Sequence, residues 1–366
     1  MEAHRLGQLL MTGVPGPELD PETAGRFRRL QPGAFILFGR NIKSPEQLRK
    51  LIDDLRDLSQ IEPVITIDQE GGRVSRLRLI GEEPPNAEQL REKGELDLIR
   101  RHGQLTGRLL RLFGFNLDLC PVLDISCNGD LDNSLRGRTY GTTPNEVIGN
   151  ATVFNTALRR EGILTCGKHF PGYSSARVDP HHALPVIEKT LEEMEAHDLL
   201  PYRSMLPDLD SIMAGHAYYP CFDEKRWPGS LSPNVIRKFL RNQLGYEGLV
   251  MTDDLDMGAI LNEVSFADTI RYAIEAGNDI AMICHRLDMV EEAHEHLATL
   301  PHPLLDDALR RVEAFKAKMA PPARWSVETF ASINREIWDL RVATLGEERA
   351  AIRSHEDGAR SPVELY

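Results

Sequence analysis

The sequence predicts an α/β fold, a (β/α)8 TIM barrel forming one domain with a C-terminal helical extension, on three observations. Short apolar runs of strand length alternate with amphipathic stretches of helix length, the rhythm of βα units around a parallel sheet. Eight such runs fall within roughly 300 residues, the size of an eightfold barrel. No internal repeat, low-complexity block or linker divides them. A doubly wound open sheet is the alternative topology for the same pattern.

Taken in order, the predicted strands are "QLLMTGV" around Leu9, "GAFILFG" from Gly33, "PVITIDQEGG" from Pro63 and "FNLDLCPVLDI" from Phe115. They continue with "ILTCGKHF" from Ile163, "SIMAGHAYYP" from Ser211, "GLVMTDD" from Gly248 and "NDIAMIC" from Asn278. Between them, "SPEQLRKLIDDLRDLSQ" reads as a helix that Ser44 caps and Pro45 opens. "SPNVIRKFLRNQLG" repeats the device with Ser232 and Pro233, and Gly245 stops it. The barrel is assigned to residues 1–320. Residues 321–366 form the extension, in which "WSVETFASINREIWDLRVATLG" has the pattern of a helix packed on the outside, followed by a frayed polar tail.

Composition excludes several function classes. A hydrophobic content of 41% with 27% charged residues describes a folding globular chain. A net charge of −13 disfavours phosphate backbones and anionic membrane surfaces, so no nucleic-acid or membrane partner is expected. The N-terminal segment lacks the basic start and unbroken apolar run of an export signal, and no stretch approaches the ~18 uncharged residues of a membrane span. A cytoplasmic location and a monomer are the expectations. Five scattered cysteines without CxxC spacing, Cys120, Cys127, Cys166, Cys221 and Cys284, suit a reducing compartment and predict neither disulfides nor a cysteine metal site.

In a barrel of this type the chemistry sits where strands end and loops begin. Asp68 follows "PVITI", Asp124 follows "CPVL", Lys168 and His169 follow "ILTCG", His216 follows "SIMAG", and Asp253 follows "GLVMT". Strand interiors are apolar, so polar groups converging from five strands need partners or a ligand. Asp253 emerges from a buried strand into the barrel mouth, where a carboxylate can attack an electrophilic carbon. Asp254 reads more simply as a cap for the following helix. The run "KHFPGYSSARVDPHHALP", Lys168 to Pro185, gathers ionisable groups where Gly, Pro and Ser prevent regular structure. Within it Asp179 and His181 stand two apart across Pro180, and a carboxylate bonded to one imidazole nitrogen sets the basicity of the other, as proton transfer requires. His182 beside them reads as solvent-exposed. "IDQEGGRVSRL" adds Asp68, a glycine pair for a tight turn, and Arg73 and Arg76, groups suited to hydroxyl and carboxylate recognition.

The motifs "IDQEGGRVSRL", "FNLDLCPVLDI", "RTYG", "GKHFPG", "DPHHALP", "AGHAYYP" and "GLVMTDDLDM", in that order, resemble glycoside hydrolase family 3 from about residue 5 to residue 318. Within it the chain is similar to the single-domain β-N-acetylhexosaminidases of the NagZ type. The resemblance implies a TIM barrel and retaining, two-step hydrolysis of terminal β-linked N-acetylglucosamine, with peptidoglycan fragments as the substrate and recycling as the role. It implies Asp253 as nucleophile, and His181 paired with Asp179 as general acid/base on a mobile loop. Asp68, Arg76, Arg138, Lys168 and His169 match sugar-binding positions, and His216, from its place after a strand, is expected as a further substrate contact. The chain departs from the family pattern at Tyr173, Ser174 and Ser175, where His, Gly and Asp are usual, and at Pro180, usually serine.

The residue chemistry agrees. A carboxylate nucleophile forms a glycosyl-enzyme through an oxocarbenium-like transition state while a second group protonates the departing oxygen. An imidazole, with an unperturbed pKa of about 6.5, suits that second role near neutral pH. Transfer of the sugar to phosphate on the same site is the alternative reaction. A metal-dependent barrel hydrolase with His169, Asp179, His181, His216 and Asp253 as ligands, and a sugar-binding protein without turnover, are the rival classes. The reading expects a small carbohydrate or glycopeptide substrate, no cofactor and no metal.

Overall fold

The computed structural model describes residues 3–126, 134–176 and 180–354. Eight parallel strands form the barrel: β1 Leu10–Gly13, β2 Ala34–Leu37, β3 Val64–Ile67, β4 Leu117–Asp118, β5 Leu164–Phe170, β6 Ser211–Ala214, β7 Leu249–Asp254 and β8 Ile280–Ile283. All eight lie within the runs read from the sequence. Each pairs with the next, and β8 pairs back on β1 with Leu10 opposite Ala281, so the sheet is closed. That one register excludes the doubly wound alternative.

Parallel strands covered on both faces read as continuous apolar runs, which is why the pattern was so visible. Alternate residues nevertheless go to different places. On β2, Phe35 and Leu37 join an apolar cluster shared with the outer helices, while Ala34, Ile36 and Phe38 join the cluster that includes Met213 and Met282. The β4 ladder is shorter than its apolar run suggests, because Pro121 has no N–H to donate; pairing resumes only as a single bridge between Val122 and Lys168.

Helix Pro45–Asp57 starts at Ser44 as expected. The serine oxygen accepts from Gln47 N at 3.2 Å and the Gln47 side chain accepts from Ser44 N, a reciprocal cap. Helix Asn234–Gln243 begins where the Ser232 hydroxyl accepts from the Asn234 and Val235 amides, and it is wound more widely, with i→i−5 bonds such as Lys238 N to Pro233 O. The extension folds into helix Val327–Leu345, which packs along helix Leu96–Phe113. Ile333, Ile337 and Leu340 are buried there, Trp325 meets Phe113 at a tilt and Phe330 meets it edge-on, and Arg108 forks onto Glu336 at 2.6 and 2.9 Å. The tail beyond Ser354 lies outside the described residues. Among the described residues no helix is long and apolar enough to cross a membrane, and Cys120, Cys166, Cys221 and Cys284 are free thiols.

The closing side of the barrel is pinned by one carboxylate. Asp279, fully buried at the start of β8, accepts from Arg241 Nη2 at 2.7 Å, Arg311 Nε at 2.7 Å and the Val250 amide at 2.9 Å, joining β7, β8 and two outer helices. Removing one partner of a buried ion network leaves uncompensated charge. Asp279→Ala should therefore cost about 3–5 kcal/mol in urea unfolding; a loss below about 1 kcal/mol would show that the two arginines are satisfied elsewhere.

Candidate active site

The strand ends open into a cavity of about 180 Å³ whose wall includes Asp68, Arg76, Arg138, Lys168, His169, His181 and Asp253. Its floor is apolar, from Ile36, Leu119, Met213 and Met282.

One wall grows out of β3. After Asp68 the chain folds into a two-stranded hairpin, Gln69–Gly71 with Val74–Ser75, whose turn places Gly71 and Gly72 at φ +107° and +54°, conformations costly for other residues. The hairpin is tied internally: Gln69 donates to Ser75 Oγ at 2.7 Å and accepts from the Leu77 amide at 3.2 Å. Asp118, at the end of β4, accepts from the Gln69 amide at 3.1 Å, and burial pushes its carboxyl well up.

The hairpin presents Glu70 to two cations. Arg138 forks onto it at 2.7 and 2.8 Å, and Lys168 Nζ lies 2.7 Å from the same carboxylate. Lys168 also donates to Asp68 at 2.6 Å, while Arg76 Nη2 stands 3.7 Å from the other Asp68 oxygen. Burial opposes the Glu70 charge, yet Arg138 and Lys168 hold its carboxyl far below the usual carboxylate range. Burial likewise opposes the Lys168 ammonium, and Asp68 and Glu70 raise it above the ordinary lysine value. The wall is therefore a largely buried array of two carboxylates and three cations.

From β5, His169 places Nδ1 2.7 Å from Asp124, whose carboxylate also accepts the His169 amide at 3.1 Å. A carboxylate can only accept, so Nδ1 carries a proton toward Asp124. Tyr173, standing where the family usually has histidine, is buried and stacks on this imidazole at 5.0 Å between ring centroids. Its amide donates to Asp124 at 2.5 Å and its hydroxyl accepts from the His216 amide.

The opposite wall comes from β7 and β8. Asp253, partly exposed to the cavity, accepts from the Asp254 amide at 2.8 Å. Burial would raise its carboxyl, but His216, His169, that amide and His181 together hold it below the ordinary aspartate value, so it is an anion across the working pH range. Asp254 does not cap a helix. Its side chain instead accepts from the Cys284 and Asp256 amides at 3.1 and 3.0 Å and faces His285 Nε2 at 3.3 Å. Because Arg40 Nη1 donates to His285 Nδ1 at 2.9 Å, the His285 proton sits on Nε2, toward Asp254. Asp256 accepts from the His285 amide at 2.7 Å, and burial with the neighbouring Asp254 charge pushes its carboxyl up to about 6.

The chain matches the glycosyl hydrolase family 3 N-terminal domain over residues 2–315. It is 33% identical over 279 residues to a β-hexosaminidase of Methylococcus capsulatus, covering 75% of this chain and 82% of that relative. Its fold superposes on a family 3 β-N-acetylglucosaminidase from Paenibacillus with a TM-score of 0.85 and 28% identity, covering 94% of this chain and 69% of the other. Native NagZ from Neisseria gonorrhoeae gives 0.79 and 26%, covering 94% and 98%. The chain belongs to glycoside hydrolase family 3.

Within this family 3 site, the structure gathers Asp68, Arg76, Arg138, Lys168, His169, His181 and Asp253 around one cavity, with Asp124 bonded to His169 and Arg73 donating to the Arg136 and Ser134 carbonyls. Asp179 lies outside the described residues. His216 is not at the cavity wall: it is fully buried, Nδ1 pairs with Ser230 Oγ at 2.7 Å and Nε2 donates to the Asp254 carbonyl at 2.9 Å, so both nitrogens are spent. The expected substrate contact is thereby corrected to a support beneath Asp253. The same bonding removes His216 from the rival metal set. Asp254, Cys284 and His285 do approach within 4.8 Å of one another, but His285 Nε2 carries a proton and offers no lone pair. Glu70 went unnamed, although its position two residues after Asp68 signals a shared strand face. Asp256, His285 and Phe38 gave no local signal.

The Glu70 carboxyl predicts an acid dependence. Since its folded value lies below the unfolded one, near 4.5, the stability from this ion array is complete above that value and is lost as pH falls through it. Between about pH 5 and about pH 3 the wild-type melting temperature should fall more steeply than that of Glu70→Gln. Parallel curves would show that Glu70 carries no differential charge.

Proposed function

We propose that the chain is an exo-acting retaining β-N-acetylhexosaminidase that removes terminal N-acetylglucosamine from small carbohydrates or glycopeptides, with Asp253 as nucleophile and His181 as general acid/base. What supports this reading is one juxtaposition: an ionised Asp253 across a cavity from Lys168, Arg138 and Arg76, with His181 on the rim.

In the first step Asp253 attacks the anomeric carbon while His181 delivers a proton to the leaving oxygen. The bond to the leaving group breaks as the bond to Asp253 forms, and the developing positive charge on the sugar ring lies beside Asp253. In the second step His181 takes a proton from water, which displaces Asp253 and releases the sugar with its original anomeric configuration. The ionised wall of Asp68, Lys168, Arg76 and Arg138 binds ring hydroxyls, and binding energy gained away from the reacting carbon holds the sugar in the attacking geometry. Asp179 is assigned the partner role at His181. Cell-wall fragments carrying N-acetylglucosamine, met in the cytoplasm during peptidoglycan recycling, are the proposed substrates; hydrolysis is proposed over transfer to phosphate.

Mass spectrometry after incubation with a fluorinated N-acetylglucosaminide analogue should find the sugar on the peptide carrying Asp253, and a label elsewhere would end the assignment. Asp253→Ala should lower kcat/KM by about 10³-fold or more, while azide or formate should restore turnover to Asp253→Gly.

His181→Ala should cost about 10²–10⁴-fold with poor leaving groups and far less with activated aryl ones. Equal losses on both substrate types would remove His181 from proton transfer. Product measured with and without phosphate separates hydrolysis from phosphorolysis.

A further inference from the structure

Arg76 faces the cavity with little of its own to hold it. It is 7% exposed, and among the described residues its Nε has no hydrogen-bond partner and its one ion pair is the 3.7 Å approach to Asp68. Its position is therefore set by the backbone that carries it, the short 3-10 turn Arg76–Leu79. The segment that follows is held from outside the barrel. Arg341, on helix Val327–Leu345, donates Nη1 to the Glu83 carbonyl at 3.0 Å and to its carboxylate at 2.9 Å. Both side chains are almost fully buried, at 3% and 1% exposure.

Further bonds run the same way. Ser354 donates its amide to both Glu83 oxygens at 3.2 Å and its hydroxyl at 2.8 Å. Asn334 Oδ1 accepts the Glu82 amide at 2.6 Å and sits so close to Gly81 that a Cβ there would meet it at 2.5 Å. Arg353 spans the turn, donating to the Arg78 carbonyl at 3.1 Å and the Gly81 carbonyl at 3.2 Å. Arg78 closes the loop onto Glu83 at 3.3 Å. The segment then returns to the active-site hairpin, where the Pro84 carbonyl accepts the Gly72 amide at 2.9 Å. All of the donors and acceptors from the extension lie after residue 315, where the match to the family 3 domain ends.

We propose that the C-terminal extension is a working part of the active site: Arg341, through Glu83, and Arg353, through the Arg78 and Gly81 carbonyls, are positioning residues for Arg76 and the Asp68–Ser75 hairpin. The extension sets where the substrate-binding guanidinium stands without touching substrate. The inference rests on the glycosidase reading for its kinetic consequence, and on geometry alone for its mechanical one.

Arg353→Ala is the first variant, because this side chain is half exposed and its loss leaves the core intact. Arg341→Gln is the second. With a chromogenic N-acetylglucosaminide, each should raise KM about tenfold and leave kcat within about twofold. In an Arg76→Ala background the same changes should leave KM where Arg76→Ala alone puts it, because the residue they position is gone. A KM ratio equal in both backgrounds overturns the proposal, as does a fall in kcat with unchanged KM, the mark of a merely less stable fold. Hydrogen exchange gives a reading independent of turnover: the Gly72 and Leu77 amides should exchange faster in Arg353→Ala, and unchanged exchange also overturns it. A wild-type chain that turns over no N-acetylglucosaminide strikes the functional reading, and the exchange rates still decide the brace.

Discussion

The active site depends on a largely buried charge array on one wall of the cavity. Asp68, Glu70 and Arg76 follow β3, Lys168 lies on β5 and Arg138 precedes helix Pro144–Arg160, segments far apart in the chain that the β3–β4–β5 pairing brings together. Each charge would be costly alone in this setting, and each is tolerated because its neighbours carry the opposite sign. The array ends with one more cation than carboxylate, and the excess faces the cavity, where hydroxyl oxygens can satisfy it.

The opposite wall has the complementary character. Asp253, Asp254 and Asp256 cluster on β7 and just beyond, and the three are held apart by different means. The Asp254 carboxylate is taken up by backbone amides and by the Arg40–His285 pair. Asp256 tends toward the neutral form near pH 6. Asp253 alone keeps its charge next to the apolar floor, with His216 locked beneath it through the Asp254 carbonyl. A sugar between the two walls would have its hydroxyls on the cationic side and its anomeric carbon on the anionic side, the arrangement an oxocarbenium-like transition state needs.

The barrel is legible in the sequence because both faces of every strand are covered, so eight apolar runs stand out and their outgoing ends can be counted. That count finds Asp253, Lys168 and His169 at strand tips. It fails where a role depends on which way a side chain turns: His216 has the right position and the wrong neighbours, since Ser230 and the Asp254 carbonyl claim its ring. Asp254 misleads for a similar reason, as its carboxylate turns to β8 rather than to the next helix. Glu70 hides inside a motif whose glycines draw the eye. Arg341 and Glu83, 258 residues apart, share no local pattern at all, and only the packing of helix Val327–Leu345 on helix Leu96–Phe113 reveals the pair.

In the proposed mechanism His181 stands on a loop while Asp253 stands on a strand, so that the proton donor can approach and retreat from a fixed nucleophile. The loop is nonetheless registered by main chain. The Pro180 and His181 carbonyls accept the Ala259 and Gly258 amides at 3.1 and 3.0 Å, and the His182 carbonyl accepts from Asn262 at 3.2 Å. Those amides open the short helix Gly258–Leu261 that follows β7, so the loop caps a helix start whose N–H groups would otherwise lack partners. Gly258 makes the approach possible: a Cβ there would lie 2.6 Å from the His182 carbonyl oxygen. Pro180, in place of the usual serine, suits this contact because it contributes a carbonyl, fixes φ and leaves no N–H unpaired. The backbone that carries His181 is thus registered on the helix start that follows the Asp253 strand.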